Sequence, residues 1–215
     1  VFDEANLNFL KNYNLDTYKI ASSEITNLNL IKSIINTKKT VIISTGMSDV
    51  KDIKNAMNLF NHKKNKKILM QCTSLYPTKI SQVNLNVFKT FKKNFKNFEL
   101  GFSDHTNSDI AAITAIGMGC KYFEKHFTLN KKSKGPDHFF AYSPNQLKKY
   151  VKNIHLAYSA LGSSKKIMLE KEKKIGRRYG IYAKRNIKFG EILKNNILKK
   201  ERPALGIRYR DIKLI

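Results

Sequence analysis

Two short polar clusters, Ser103-Asp104-His105 and Glu124-Lys125-His126, each close a short apolar run, and a stretch of helical spacing separates them. Histidines at two successive strand ends can bring both imidazoles to one cation. Two nitrogen ligands, with the other positions left to water or substrate, describe a catalytic metal site rather than a closed structural one. The plain alternative is that each histidine only hydrogen-bonds a carboxylate on the rim. His62 and His155 fall in helix or loop positions and read as surface residues.

Further groups could serve the same rim. Lys19 opens the strand Lys-Ile-Ala-Ser and Lys125 closes another. A lysine so placed can form a Schiff base with a carbonyl substrate, or neutralise phosphate as a point charge. The first chemistry predicts trapping by borohydride and indifference to chelators. Ser22, Ser44 and Thr45, with Gly46 as a turn, offer hydroxyl and amide donors to an anion, although Ser-Thr-Gly after a strand is also common turn chemistry. In "SKGPDHFF", residues 133–140, Pro136 fixes a loop from which Asp137 projects, or the segment is a plain turn.

Such groups need a frame. Strand-like runs recur at 18–21, 40–44, 67–72, 99–102 and 121–124. Helical spacing lies between them, as in Leu28, Ile31, Ile34 and Ile35, in Ile53, Met57 and Leu59, and in Ile110, Ile113, Ile116 and Met118. Alternation of this kind predicts βα units and a parallel sheet. Ser48 is a plausible helix N-cap. Polar residues follow the strand in every repeat, which is how a (β/α)8 barrel supplies one rim, whereas an open doubly wound sheet gathers them at one switch point. We therefore expect an α/β fold, a partial (β/α)8 TIM barrel of about five βα units, with about three strands absent from this chain.

Past Asp137 the pattern changes. Residues 144–161 read as one long helix with Leu147, Val151, Ile154 and Leu161 on a stripe, and a charged connector follows. The segment "RRYGIYAKRNIKFGEILKNNILKKERPALGI" has short β-runs and turns at Gly190 and Gly206, and every arginine of the chain lies from Arg177 onward. The expected domains are 1–163, a linker 164–176, and a small β-rich domain 177–215.

A net charge of +25 invites a nucleic-acid reading. The charge, however, is nearly all lysine, diluted along helix faces among many Asn and Ile, so it reads as compositional bias on solvated positions. Nonspecific stickiness to polyanions at low salt is the residual expectation; no specific nucleic-acid partner is expected. No apolar run approaches the roughly 20 residues of a membrane span, and residues 1–6 resemble no signal peptide. The missing initiator Met suggests a processed or incomplete product. Cys72 and Cys120 sit alone in strand-like runs and read as reduced, buried thiols of a cytoplasmic protein.

Taken together, "YKIASSEITN", "VIISTGMSDV", "QCTSLYP", "GFSDHT", "FEKHFTL" and "GPDH" resemble, in order and spacing, the sialic acid (N-acetylneuraminate and related nonulosonate) synthases. The tail "IYAKRNIKFGEIL…KKERPALGI" is similar to the start of that family's C-terminal antifreeze-like (SAF) domain. The resemblance implies condensation of phosphoenolpyruvate with an N-acetylated hexose in its aldehyde form, typically N-acetylmannosamine, with release of phosphate. It makes His105 and His126 the holders of a divalent metal, usually manganese, with magnesium or cobalt as alternatives. Lys19, Ser22, Ser44 and Ser103 fall on positions that bind phosphoenolpyruvate. Glu24 matches a carboxylate near the reacting centre, and Tyr76 and Asp137 fall where the sugar is held. Arg202 matches an arginine that enters the partner's barrel, which requires a domain-swapped homodimer.

Two departures stand out. The family's opening barrel strands, with an Ala-Glu-Ile-Gly-like motif, are absent, and the antifreeze-like domain stops early. The chain is thus expected to be an incomplete synthase, N- and C-terminally, carrying the metal half of a site. Its rivals are a Schiff-base aldolase, a basic binding module and an inactive remnant. "SSEITN" and "GPDH" lean toward N-acetylneuraminate or legionaminate rather than pseudaminate.

Overall fold

Five parallel strands follow one another across a sheet in chain order: β1 (Thr17–Ile20), β2 (Thr40–Ser44), β3 (Lys67–Cys72), β4 (Glu99–Asp104) and β5 (Tyr122–Lys125). The structure, a computed structural model, describes residues 1–175 and 177–214; Gly176 and Ile215, which close the expected linker and second domain, lie outside the described residues. Each strand of this sheet pairs in parallel with its sequence neighbour, without the order reversal of a doubly wound sheet. The sheet is also curled. β1 and β5 are four strand spacings apart, about 19 Å if flat, yet Lys19 Nζ on β1 lies 3.1 Å from Glu124 Oε2 on β5. Two side chains cannot span the flat distance, so the sheet bends as part of a barrel wall.

Alternation along the strands separates core from chemistry. Tyr18, Ile20, Val41, Ile43, Leu69, Leu100 and Phe102 are buried in one apolar core with the helices. The alternate positions Lys19, Ser44, Cys72, Ser103 and Glu124 line a cavity on the other face. Helices α1 (Glu4–Lys11), α2 (Leu28–Asn36), α3 (Val50–Asn58), α4 (Val87–Asn94) and α5 (Ile110–Gly117) cover the outside. α2 buries Leu30, Ile31, Ile34 and Ile35, a period-3.6 stripe. Phe88 of α4 is fully buried against Phe91. Phe88→Ala should cost about 3–5 kcal/mol, measurable as a lower urea midpoint with an unchanged m-value.

The structure corrects some local expectations. Asp49, not Ser48, caps α3: its carboxylate accepts from the Lys51 and Asp52 amides, and Asp52 returns a bond to the Asp49 N–H. A reciprocal capping box outcompetes a lone hydroxyl, and Ser48 instead donates to the Thr45 carbonyl. On α5, Ile110 and Ile113 are exposed, and the packed face is Ala111, Ala112, Ala115 and Ile116. Those small side chains let α6 (Pro144–Leu161) approach closely. On α6, Val151 and Leu161 are likewise exposed; Tyr150, with the half-buried Leu147 and Ile154, makes the contact.

The chain divides into two compact units, Val1–Gly162 and Ser163–Ile215. The second contains α7 (Glu170–Ile175), within the segment expected as a linker, and an antiparallel pair, β6 (Gly180–Ala183) with β7 (Leu198–Glu201). In it the Arg202 guanidinium stacks 4.2 Å from the Tyr179 ring, and Lys200 Nζ lies 4.2 and 4.6 Å from the Tyr179 and Tyr209 rings. Among the described residues no helix is long and apolar enough to cross a membrane.

Candidate active site

The register of β4 and β5 explains the two polar clusters. Ser103 stands opposite Glu124 and Asp104 opposite Lys125. With a period of two, the first rung and the histidine rung after it share the inner face, while the rung between points outward. Ser103 Oγ donates to Glu124 Oε1 at 2.8 Å. The His105 and His126 ring centroids are 5.1 Å apart. The middle rung is an ion pair, Lys125 Nζ to Asp104 Oδ2 at 3.2 Å, with both side chains almost fully buried.

Seven of the ten expected site residues meet at one cavity of about 240 Å³: Lys19, Ser22, Ser44, Tyr76, Ser103, His105 and His126. The Tyr76 ring lies 4.3 Å from the His105 ring and 5.8 Å from that of His126. Asp137 approaches through its Oδ2, 3.5 Å from His126 Nδ1. Glu24 does not join them; its carboxylate accepts from the Asn27 side-chain amide at 3.1 Å. Arg202 lies in the second unit, on Tyr179. The cavity also contains Glu124, Cys72 and Ser74, which the sequence reading left out of the site. Strand parity could have found Glu124, since it shares a face with His126 two residues on. Gly46 stands beside the cavity serines: a Cβ there would lie 2.1 Å from Ser74 Oγ and 2.9 Å from Ser22 Oγ, so any other residue would displace those hydroxyls; its amide donates to Ser22 Oγ at 3.0 Å.

Hydrogen bonding fixes how His105 presents itself. Its Nδ1 lies 2.9 Å from the Thr73 carbonyl oxygen, which can only accept, so Nδ1 carries the proton. In the neutral ring Nε2 then keeps its lone pair free. Burial opposes charging of His105, but its bonds to Cys72 and Thr73 outweigh this and raise its pKa above the ordinary value. Burial, then repulsion from His105, lowers that of His126 despite Asp137 and Glu124. Among the described residues no three or more His, Cys, Asp or Glu converge as metal ligands. What the site does offer a divalent ion is the two neighbouring imidazoles, His105 and His126, which would bind one through bonds of about 2.0–2.2 Å with water or substrate completing its shell.

The two thiols differ. Burial pushes Cys120 up to about 12. Burial also works to raise Cys72, but hydrogen bonds to His105, Ser22 and Ser74 prevail and lower it. Between pH 7 and 9 thiolate should thus form at Cys72 and not at Cys120. Iodoacetamide on the native protein should label Cys72 alone, faster as pH rises, with both labelled after denaturation, as read by peptide mass spectrometry.

The Schiff-base reading loses one lysine here, since Lys125 is buried on the outer face. Lys19 reaches the cavity, but against the Glu124 carboxylate rather than in the apolar or cation-rich setting that activates an imine-forming amine.

Residues 1–166 match the NeuB family. The chain belongs to the NeuB family. It is 37% identical over 211 residues to N,N'-diacetyllegionaminic acid synthase of Campylobacter jejuni, covering 96% of this chain and 63% of that protein. With the pseudaminic acid synthase of Helicobacter pylori it shares 34% identity, over 98% of this chain and 64% of the relative. Among solved structures, the N-acetylneuraminic acid (sialic acid) synthetase of Leptospira borgpetersenii superposes with a TM-score of 0.74 at 31% identity, covering 81% of this chain and 61% of that one. This NeuB chain thus spans less than two thirds of the length of these relatives.

Proposed function

We propose that this NeuB chain carries the substrate-binding face of a synthase that condenses phosphoenolpyruvate with an N-acetylated sugar aldehyde, of the N-acetylneuraminate or legionaminate branch. One observation carries the reading: an ammonium, three serine hydroxyls and two imidazoles from successive strands converge on a single small cavity. In the reaction, C3 of phosphoenolpyruvate bonds to the aldehyde carbon and the aldehyde oxygen gains a proton. A water oxygen enters at C2, and phosphate leaves with the C2–O bond.

Lys19 supplies a point charge for the phosphate or carboxylate, and Ser22, Ser44 and Ser103 offer hydroxyl donors. Tyr76 and Asp137, bordering the histidines, face the sugar. A divalent ion on His105 and His126, manganese by the resemblance, would supply Lewis-acid polarisation of the aldehyde oxygen. The second unit, read as the start of an antiparallel SAF-type domain, supplies Arg202 to a partner subunit in a homodimer. Two free thiols accord with a reducing cytoplasm.

The experiment supplies phosphoenolpyruvate, manganese and a panel of N-acetylated hexoses, and measures phosphate release alongside the shift in melting temperature with phosphoenolpyruvate alone. Release that needs both an acceptor and the metal, with a stabilising shift, supports the reading. Borohydride trapping at Lys19, or turnover indifferent to chelation, would replace it with Schiff-base chemistry.

A further inference from the structure

The outward rung between the two catalytic rungs carries a charge pair that the proposed chemistry does not use. Asp104 and Lys125 are 0% and 5% exposed. An ion pair so far from water stabilises little by itself, because desolvation of both charges offsets their attraction. An apolar pair would serve the core as well. The bonds around this pair are more specific than a core requires. Asp104 Oδ2 accepts from the Tyr150 hydroxyl at 3.0 Å, and Oδ1 from the Thr106 amide at 2.8 Å. Lys125 Nζ donates to the Thr106 carbonyl and sits 4.2 and 5.2 Å from the Tyr142 and Tyr150 rings.

Thr106 directly follows His105, and Lys125 directly precedes His126. The pair therefore grips both sides of the His105 backbone and ties it to the residue next to His126. It does so just past the point where β4 and β5 stop pairing, where a strand end is otherwise free to fray. We propose that Lys125 is a positioning residue: paired with Asp104 and bonded to the Thr106 peptide, it holds the His105 and His126 rings toward one point in the cavity. The proposal rests on the reading that both rings serve one site.

The test compares wild type with Asp104→Asn/Lys125→Met, which leaves no unpaired buried charge, and with Tyr150→Phe, which keeps the ion pair. Two readouts are taken on folded protein: the ¹⁵N-imidazole NMR signals of His105 and His126 without metal, and Mn²⁺ affinity by equilibrium dialysis without substrate. His62 and His155, away from the cavity, serve as internal references. In the double variant the His105 and His126 signals should shift and broaden while the references stay fixed. Mn²⁺ affinity should fall by about 10–100-fold, as when a ligand's supporting partner is lost. Tyr150→Phe should move the same two signals less. A folded double variant whose His105 and His126 signals match wild type overturns the proposal, whatever its melting temperature. If the double variant does not fold, unchanged ring signals in Tyr150→Phe overturn it. Wild type that binds no Mn²⁺ defeats the metal reading instead, and the metal-free ring signals still decide the positioning role.

Discussion

His105→Ala should abolish measurable Mn²⁺ binding and lower kcat/KM for phosphate release by on the order of 10³-fold. Lewis-acid polarisation contributes several kcal/mol, and each 1.36 kcal/mol is a factor of ten. Of the chain's histidines only His105 and His126 line the cavity, so His126 alone would be left to hold the ion. Removing the ring leaves the Thr73 carbonyl without its donor, at about 1–3 kcal/mol, so folding is checked by circular dichroism beside the titration. His62→Ala, outside the cavity, provides the control. Undiminished Mn²⁺ affinity in His105→Ala would remove the two-histidine site from consideration.

Where repetition and alternation carried the signal, the sequence sufficed. Polar residues after each strand required one rim, and the curled, sequentially ordered sheet has one. In the folded chain, alternation along the strands sets Lys19, Ser44 and Ser103 on the cavity face. What stayed hidden depended on partners distant in sequence. Glu124 itself could be placed by parity with His126, but its pairing with Lys19 on the far wall exists only because the sheet bends. Lys125 read as a rim lysine, yet it falls on the opposite parity and meets Asp104 and Tyr150, the latter 25 positions further on in α6. The α5 and α6 stripes misled for a related reason. Helix spacing marks an apolar face, but the neighbour decides how much of it is buried, and α6 needed small side chains opposite Tyr150. Glu24 was assigned from the resemblance; its carboxylate accepts from Asn27 and is not among the groups lining the cavity.

Glu124→Gln should split the kinetic constants. The carboxylate accepts from Ser103 at 2.8 Å and pairs with Lys19 at 3.1 Å, linking two groups proposed to hold phosphoenolpyruvate. Both members of the ion pair are about a third exposed, so losing it should change stability by no more than about 1 kcal/mol. The effect on substrate runs in two directions. Glutamine keeps the size of the side chain and an oxygen for Ser103, but it removes a negative charge beside an anionic substrate and frees Lys19 to meet that substrate. KM for phosphoenolpyruvate should therefore fall or hold steady. Glu124 is also the carboxylate that lines the cavity, and if it moves a proton in the proposed reaction its loss would cost about 10²–10⁴-fold. The variant further loosens the orientation of Lys19. kcat should drop by about 100-fold or more, which initial-rate kinetics at saturating acceptor can resolve. A raised KM with kcat intact would mean that Glu124 only holds Lys19 in place, and the proton-transfer role would pass to another group in the cavity.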